Sequence, residues 1–241
     1  MRPGDRDAFI RLVTDDLEEE VAERMVTLPA NLADLGLSVS TGRVVDFRSK
    51  AHLLARPDRG SAPLIYPCHL RMGTVRWPSE AGRKPNAIRV APETESLLVN
   101  SEIYVLVKRF TTKEEPRRVV AAVFEPQSVE GERVGFENHL NYFHREGRGL
   151  PLPVARGLAA FLNSTLVDAF FRQFNGHTQV NATDLRSLRY PALRQLERLG
   201  TRVGTRVSEE AVVDEAIQTE MFEGEGVAEG GDPVRGKKKR R

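Results

Sequence analysis

The sequence predicts an α+β fold: a mainly antiparallel, β-rich part, then a long helix and a small helical C-terminal part. Three observations predict it. Apolar residues recur at helical spacing near the start of the chain and again after residue 150. Between them, from Leu35 to about Gly135, they fall into short β-type runs punctuated by Gly and Pro. After Glu223 the apolar pattern stops, and Gly, Glu, Lys and Arg take over. The expected organisation is a helical segment over 1–30, a β-rich domain over 31–150, helices packed on it over 151–222, and a disordered charged tail over 223–241.

The elements follow in order. Residues 14–28 carry acidic side chains early and place Leu17, Val21, Met25 and Leu28 on one helical face, and Pro29 stops that helix. Strands are expected at 43–47, 64–66, 74–77, 87–90, 103–110 and 118–125, the last two forming a hairpin around a polar turn at 111–116. Residues 154–174 read as one long helix, with Leu158, Phe161, Leu162, Leu166, Phe170 and Phe174 at spacings of three and four and Asn163 as a polar interruption. Asn175-Gly176 suits its C-terminus. A short helix opens at Asn181, with Asp184 placed to cap it. Residues 191–199 and 208–222 give two more helices.

Composition excludes several classes. The chain has 241 residues, 40% hydrophobic and 29% charged, enough for a substantial core. No apolar run approaches the roughly 20 residues of a membrane helix, and the charged start MRPGDRDAF does not read as a signal peptide; a cytoplasmic location with no membrane partner is expected. The single Cys68 rules out an internal disulfide and a cysteine zinc cluster, and its apolar setting suggests a small core residue. Net charge is only +2, yet arginine crowds the middle of the chain while acidic residues gather at 15–23 and 209–229. That distribution suits nucleic-acid binding without requiring it.

Catalytic motifs are missing. The sequence has no GxGxxG turn, no Walker loop, no HExxH and no Pro-Pro. Two nuclease patterns are incomplete. Asn138-His139 with His144 lacks the spacing of a ββα-metal site, and Asp46 ahead of Arg48-Ser49-Lys50 lacks the Glu/Asp-x-Lys element that would hold a metal.

Three stretches carry a resemblance. They are LGLSVSTGRVVDFRSK (35–50) with PLIYPCH (63–69), YVLVKRFTTKEEPRRVVAAV (104–123) with GFENHLNY (135–142), and GLAAFLNSTLVDAFFRQFNGHTQVNATDLRSLRYP (157–191). The last is the most specific. Together they resemble the C-terminal target-recognition (specificity) region of type II restriction–modification adenine-specific DNA methyltransferases, of the TaqI-type and PstI/BsuBI-associated groups. A looser likeness extends to type I specificity subunits. The resemblance implies a chain that binds duplex DNA for a catalytic domain held elsewhere, alongside a cognate restriction endonuclease. It implies no cofactor on this chain and S-adenosylmethionine on the catalytic domain. A restriction nuclease component or an inactive methyltransferase remnant is the alternative.

Candidate DNA-contacting residues follow from side-chain chemistry. Arg forks read guanine, and Asn or Gln reads adenine. Arg43, Arg48, Lys50, Arg71, Arg76, Lys84 and Asn86 sit in or beside expected loops; Lys108, Arg109, Lys113, Arg117 and Arg118 cluster on the hairpin. His177, Thr178, Gln179 and Asn181 form a polar loop opening a helix, where backbone N–H groups suit phosphate. Capping uses the same groups, so both roles stay open there.

Overall fold

A computed structural model describes residues 16–79, 84–111, 114–129, 131–174 and 179–223. Helix α1 (Asp16–Thr27) is followed by strand β1 (Ser38–Thr41), the single-turn α2 (Asp46–Ser49), and strands β2 (Leu53–Leu54), β3 (Ser61–Ile65), β4 (Leu70–Arg71), β5 (Gly73–Val75), β6 (Ala87–Arg89), β7 (Leu98–Asn100), β8 (Tyr104–Lys108), β9 (Ala121–Phe124), β10 (Arg133–Phe136) and β11 (Leu140–His144). Helices α3 (Leu152–Leu162), α4 (Thr165–Phe174), α5 (Ala182–Ser187), α6 (Leu193–Val203) and α7 (Glu210–Ile217) complete the fold, and a π-helical turn over Gln218–Glu223 continues α7.

The strands make two mixed sheets, ordered β1-β11-β8-β9-β5-β4 and β2-β6-β3-β10-β7. Most pairs are antiparallel; β5 with β9 and β3 with β10 are parallel. β8 and β9 form the expected hairpin, in the register Tyr104↔Phe124 to Val107↔Ala121.

Layering explains why the hairpin reads as a continuous apolar run. Successive side chains of a strand point to opposite faces. Val105, Val107, Ala121, Val123 and Phe143 face the helices, whereas Tyr104, Leu106, Ala122, Phe124 and Tyr142 face the second sheet. The six-stranded sheet is therefore a middle layer, buried on both sides. Between the sheets, Tyr104, Phe124, Phe136 and Tyr142 meet edge to face, with Tyr104 to Phe136 at 5.5 Å and Phe124 to Phe136 at 5.6 Å between ring centroids. Such geometry adds to the burial of the rings.

The chain's early segment belongs to the same core. Val21, Met25 and Leu28 are buried as the helical spacing requires. Ala30 exchanges backbone hydrogen bonds with Tyr190, at 3.0 and 2.8 Å, so one apolar cluster takes residues from Met25 to Met221.

Four details depart from the sequence expectations. The stretch 43–47 is not a strand: Val44 makes one isolated bridge to Glu137 and the chain then turns into α2, while the strand lies earlier, at β1. Short strands β2, β4 and β7, and the longer β10 and β11, escape the sequence pattern. Cys68 is exposed, because the 3-10 turn Pro67–His69 points it outward and His69 inward. Finally, the long helix is two helices, bent by 49° at Asn163-Ser164. The expected end at Asn175-Gly176 and the charged tail after 223 lie outside the described residues. Among the described residues no single helix is long and apolar enough to cross a membrane.

The break has a cause. The Asn163 amide is buried and pairs with the backbone of β9: the Ala121 N–H donates to its Oδ1 and its Nδ2 donates to the Ala121 carbonyl, both at 2.9 Å. Close helix contact follows. A Cβ on Gly157 of α3 would fall on the Leu196 carbonyl oxygen, and one on Gly200 of α6 on the Pro153 carbonyl oxygen. Both positions admit only glycine at this separation. At the outer face of α6, the Glu220 carboxylate accepts from Arg198 at 2.7 Å and from Arg202 at 2.7 Å.

Two predictions arise. Replacing Asn163 with Leu keeps the volume but leaves two buried backbone groups of Ala121 without partners; the expected destabilisation is about 1–3 kcal/mol for each orphaned group, measured by denaturant unfolding. The second concerns acid. Burial pushes the Glu220 carboxyl up, but Arg198 and Arg202 outweigh it and hold it below its ordinary value of 4.5. A depressed carboxylate stabilises the fold above its unfolded pKa, and that stability is lost as pH falls through the folded value. Glu220→Gln is therefore expected to lower stability at neutral pH and to flatten the loss of melting temperature below about pH 4.5.

Candidate nucleic-acid interface

Strand register decides which loops share an end of the sheets. β1 finishes at Thr41 opposite Asn141, and β8 finishes at Lys108 opposite Leu140. β3 and β10 finish side by side at Ile65 and Phe136. β6 begins at Ala87 beside Pro63, and β5 begins at Gly73 beside Ala122. One end therefore gathers the link carrying α2, the turn after β3, the residues entering β6, the β8–β9 loop and the β10–β11 turn. An isolated bridge between Phe110 and Gln179 brings in the residues ahead of α5.

Short contacts fix these loops. Gly42 lies so close to the Glu137 carbonyl oxygen that a Cβ would collide with it. The Val44 N–H donates to the Phe136 carbonyl at 3.1 Å, the Asn138 N–H to the Val44 carbonyl at 2.9 Å, and the Glu137 N–H to the Ile65 carbonyl at 3.0 Å. The approach to α2 is thereby tied to the β10–β11 turn.

Asp46, at the start of α2, is a hub. Its carboxylate accepts from the Tyr66 hydroxyl at 2.6 Å and from Lys84 Nζ at 2.7 Å. Burial pushes the carboxyl up, but these two hydrogen bonds and the Lys84 charge prevail and hold it below the usual range. Burial, and then Asp46 itself, push the Tyr66 hydroxyl far above its ordinary value, so it stays a donor. Lys84 lies 5.0 Å from the Tyr66 ring centroid.

Around this hub, apolar rings face solvent beside cations. Phe47 is 77% exposed and Phe110 41% exposed. The Arg48 guanidinium sits 5.4 Å from the Phe47 ring and the Arg109 guanidinium 5.5 Å from the Phe110 ring. Lys50 is exposed and Lys108 half-buried. Arg109 also donates to the Asn138 carbonyl at 2.7 Å and reaches Asn181 Oδ1 at 3.5 Å. His139 packs against Phe110, and its Nδ1 meets the buried Glu137 carboxylate.

The structure thus brings Arg48, Lys50, Lys84, Lys108 and Arg109 to one end. It assigns other candidates to holding the fold. Arg118 is buried: its guanidinium donates to the Thr111 carbonyl, and its N–H donates to Asp168 at 2.6 Å. Arg117 pairs with Glu210 at 2.7 Å, its side chain 12% exposed. Arg172 of α4 donates to the Glu115 and Pro116 carbonyls, both at 3.0 Å. The hairpin base is therefore clamped to α4 and α7, and Arg117 and Arg118 belong to the clamp. Asn86 is buried among His69, Ser79 and Ala55. Arg43 is exposed and donates to the Ser96 carbonyl at 3.2 Å; Arg71 folds back on the Cys68 and Leu70 carbonyls. Asn181 caps α5, its N–H donating to Asp184 at 2.7 Å. Gln179 pairs by backbone with Phe110. Lys113, His177 and Thr178 lie outside the described residues.

Phe47, Phe110 and the Glu137–His139 pair were not among the DNA-contact candidates drawn from the sequence. The exposed phenylalanines give no signal there, since an apolar residue beside a charge reads as core. Among the described residues no group of His, Cys, Asp and Glu is arranged to hold a metal ion.

Comparison with known proteins places this geometry in context. Over 221 residues the chain is 46% identical to the type II methyltransferase M.PstI of Providencia stuartii, a match covering 92% of this chain and 44% of that protein. Over 200 residues it is 46% identical to the type II methyltransferase M.BsuBI of Bacillus subtilis, covering 83% and 40% respectively. The chain is similar to part of a type II methyltransferase. It spans less than half the length of either relative. No protein-family model matches it. A chain from a structure of complex assembly and conformational transition of the type I R-M system aligns with a TM-score of 0.41 at 12% identity, covering 85% of this chain and 48% of that one. A likeness of that size carries no argument.

Paired substitutions separate the clamp from the exposed cations. Arg118→Ala removes a buried donor and is expected to cost about 1–3 kcal/mol for the Thr111 carbonyl it leaves unpaired. Arg48→Ala, at an exposed position, is expected to change stability by no more than about 0.5 kcal/mol. Chemical denaturation of the two variants side by side checks the contrast.

Proposed function

We propose that the chain is the DNA target-recognition part of a restriction–modification adenine-specific (N6) DNA methyltransferase. It binds duplex DNA through the end of the sheets that carries α2 and the β8–β9 and β10–β11 connections. The observation that carries this reading is the convergence of five cations and two exposed aromatic rings from three separate chain segments onto one end. The identity with M.PstI and M.BsuBI supports the enzyme class.

The chemistry fits the division of labour. Arg48, Lys50, Lys84 and Lys108 neutralise phosphates and set the register on the duplex. Arg109, restrained by Asn138 and Phe110, is the stiffer fork and the better suited to a base edge. Half-buried Arg117 and buried Arg118 contribute by holding the hairpin in place.

In this class of enzyme S-adenosylmethionine supplies a methyl group to the exocyclic amino group of an adenine turned out of the duplex. The residues of this chain do not fit that cofactor. The sequence has no glycine-rich strand-to-helix turn for its binding and no Pro-Pro loop for the amino group. The proposed partners are therefore duplex DNA, a catalytic methyltransferase part that binds the cofactor, and the restriction endonuclease of the same system.

Binding of the 241-residue chain to a fluorescent duplex, followed by anisotropy across a salt series, tests the reading. Affinity is expected to fall steeply with salt, by about 0.9 logarithmic unit per decade for each phosphate neutralised. Arg48→Ala with Lys50→Ala should weaken binding to every sequence and make the slope shallower by about 1 to 2. Absence of binding at low salt, or a slope that the double variant leaves unchanged, overturns the proposal.

A further inference from the structure

We infer that His139 is a specificity-determining residue that reads a base edge in the DNA groove, and that the buried Glu137 is the residue that aims it. The inference rests on the DNA-recognition reading above and goes beyond it in naming a directional contact.

A carboxylate is costly to bury unless both oxygens find donors. Glu137 is 1% exposed, and it gives both oxygens to a single residue two positions on. Oε2 accepts the His139 backbone N–H at 2.9 Å, and Oε1 lies 2.5 Å from His139 Nδ1. The Phe110 ring stands 5.0 Å from the imidazole, centroid to centroid, and limits its rotation. The backbone beneath is fixed as well, by Gly42 against the Glu137 carbonyl and by Asn138 against Val44.

What this machinery holds is half in solvent. The His139 side chain is 48% exposed, and its Nε2 has no hydrogen-bond partner among the described residues. A histidine serving the core alone would bury its ring, as His69 does at 1% exposure. With Nδ1 taken by Glu137, Nε2 is the one nitrogen left to meet a ligand, and its direction is set by the carboxylate. Phosphate contacts tolerate long flexible cations, and this end already has four. Reading a base edge needs a polar atom held in one direction. His139 supplies one, between Arg109 and the Asp46 hub.

The test is selection from a randomised duplex library with the full chain, followed by affinity measurements on the selected sequence and its single-base variants. His139→Ala is expected to keep its melting temperature and to lose about tenfold or more of the discrimination at one base-pair position, with other positions unchanged. Glu137→Gln keeps the volume but turns an NH2 group toward a donor; it should relax the same position in its folded fraction, which Glu137 as a purely structural residue would not do. His139→Gln provides a second variant that retains polarity and should change the preferred base or lose it. If His139→Ala selects the same sequence as the native chain, or weakens all sequences equally, the inference falls and the DNA-recognition reading stands. If the native chain enriches no sequence at all, that reading fails and takes this inference with it.

Discussion

Two hydrogen bonds from one side-chain amide join the layers of this protein. Asn163 caps the end of α3 and satisfies both backbone groups of Ala121 in β9, and Ser164 next to it caps the start of α4. Without that pairing a buried strand would carry an N–H and a C=O with no partner, which interiors rarely tolerate. The bend also sets α4 where Asp168 and Arg172 take hold of the β8–β9 loop. The direction of the hairpin, and with it the position of Lys108, Arg109 and Phe110, descends from this contact.

The arginines divide the work between holding and presenting. Around the β8–β9 loop, Arg117, Arg118 and Arg172 use their forks on carboxylates and carbonyls, so the loop they pin needs little apolar content of its own. Outside, Arg48 and Arg109 lie against aromatic rings, which narrows the orientations of otherwise mobile side chains. A chain with a net charge of only +2 thus gathers several cations at one end.

The β8–β9 hairpin and the helices were legible in the sequence because burial leaves a pattern. Two long apolar runs flank a polar turn at 111–116, and the helices after residue 150 repeat at three and four. The α5 cap was legible for the same local reason, as Asn181 and Asp184 lie three apart. What the sequence hid is nonlocal. Asn163 reads as a polar blemish in one helix, because its partner is 42 residues away. Residues 43–47 look like a strand, yet Gly42 against Glu137 takes up the space a ladder would need. Among the basic residues singled out, the sequence did not distinguish Arg118, which is buried, from Arg109, which is half exposed. Charge type does not encode burial.

The pairing of β1 with β11 bears on how the chain is made. Ser40 and His144 meet across 104 positions, and Arg189 returns to the Leu28 carbonyl across 161. At roughly 5–20 residues per second of synthesis, the first forty residues wait on the order of 5–20 s after leaving the ribosome before their strand partner exists. From the emergence of residue 124 until β11 follows, the β8–β9 hairpin has an open edge at β8, the strand that carries Val105 and Val107. Ribosomes stalled between residues 124 and 140 would release a product with that edge uncovered, a template for association with other chains. Steady elongation through the codons for residues 124–140 thus favours correct pairing, and rare codons there would lower soluble yield with no change in amino-acid sequence.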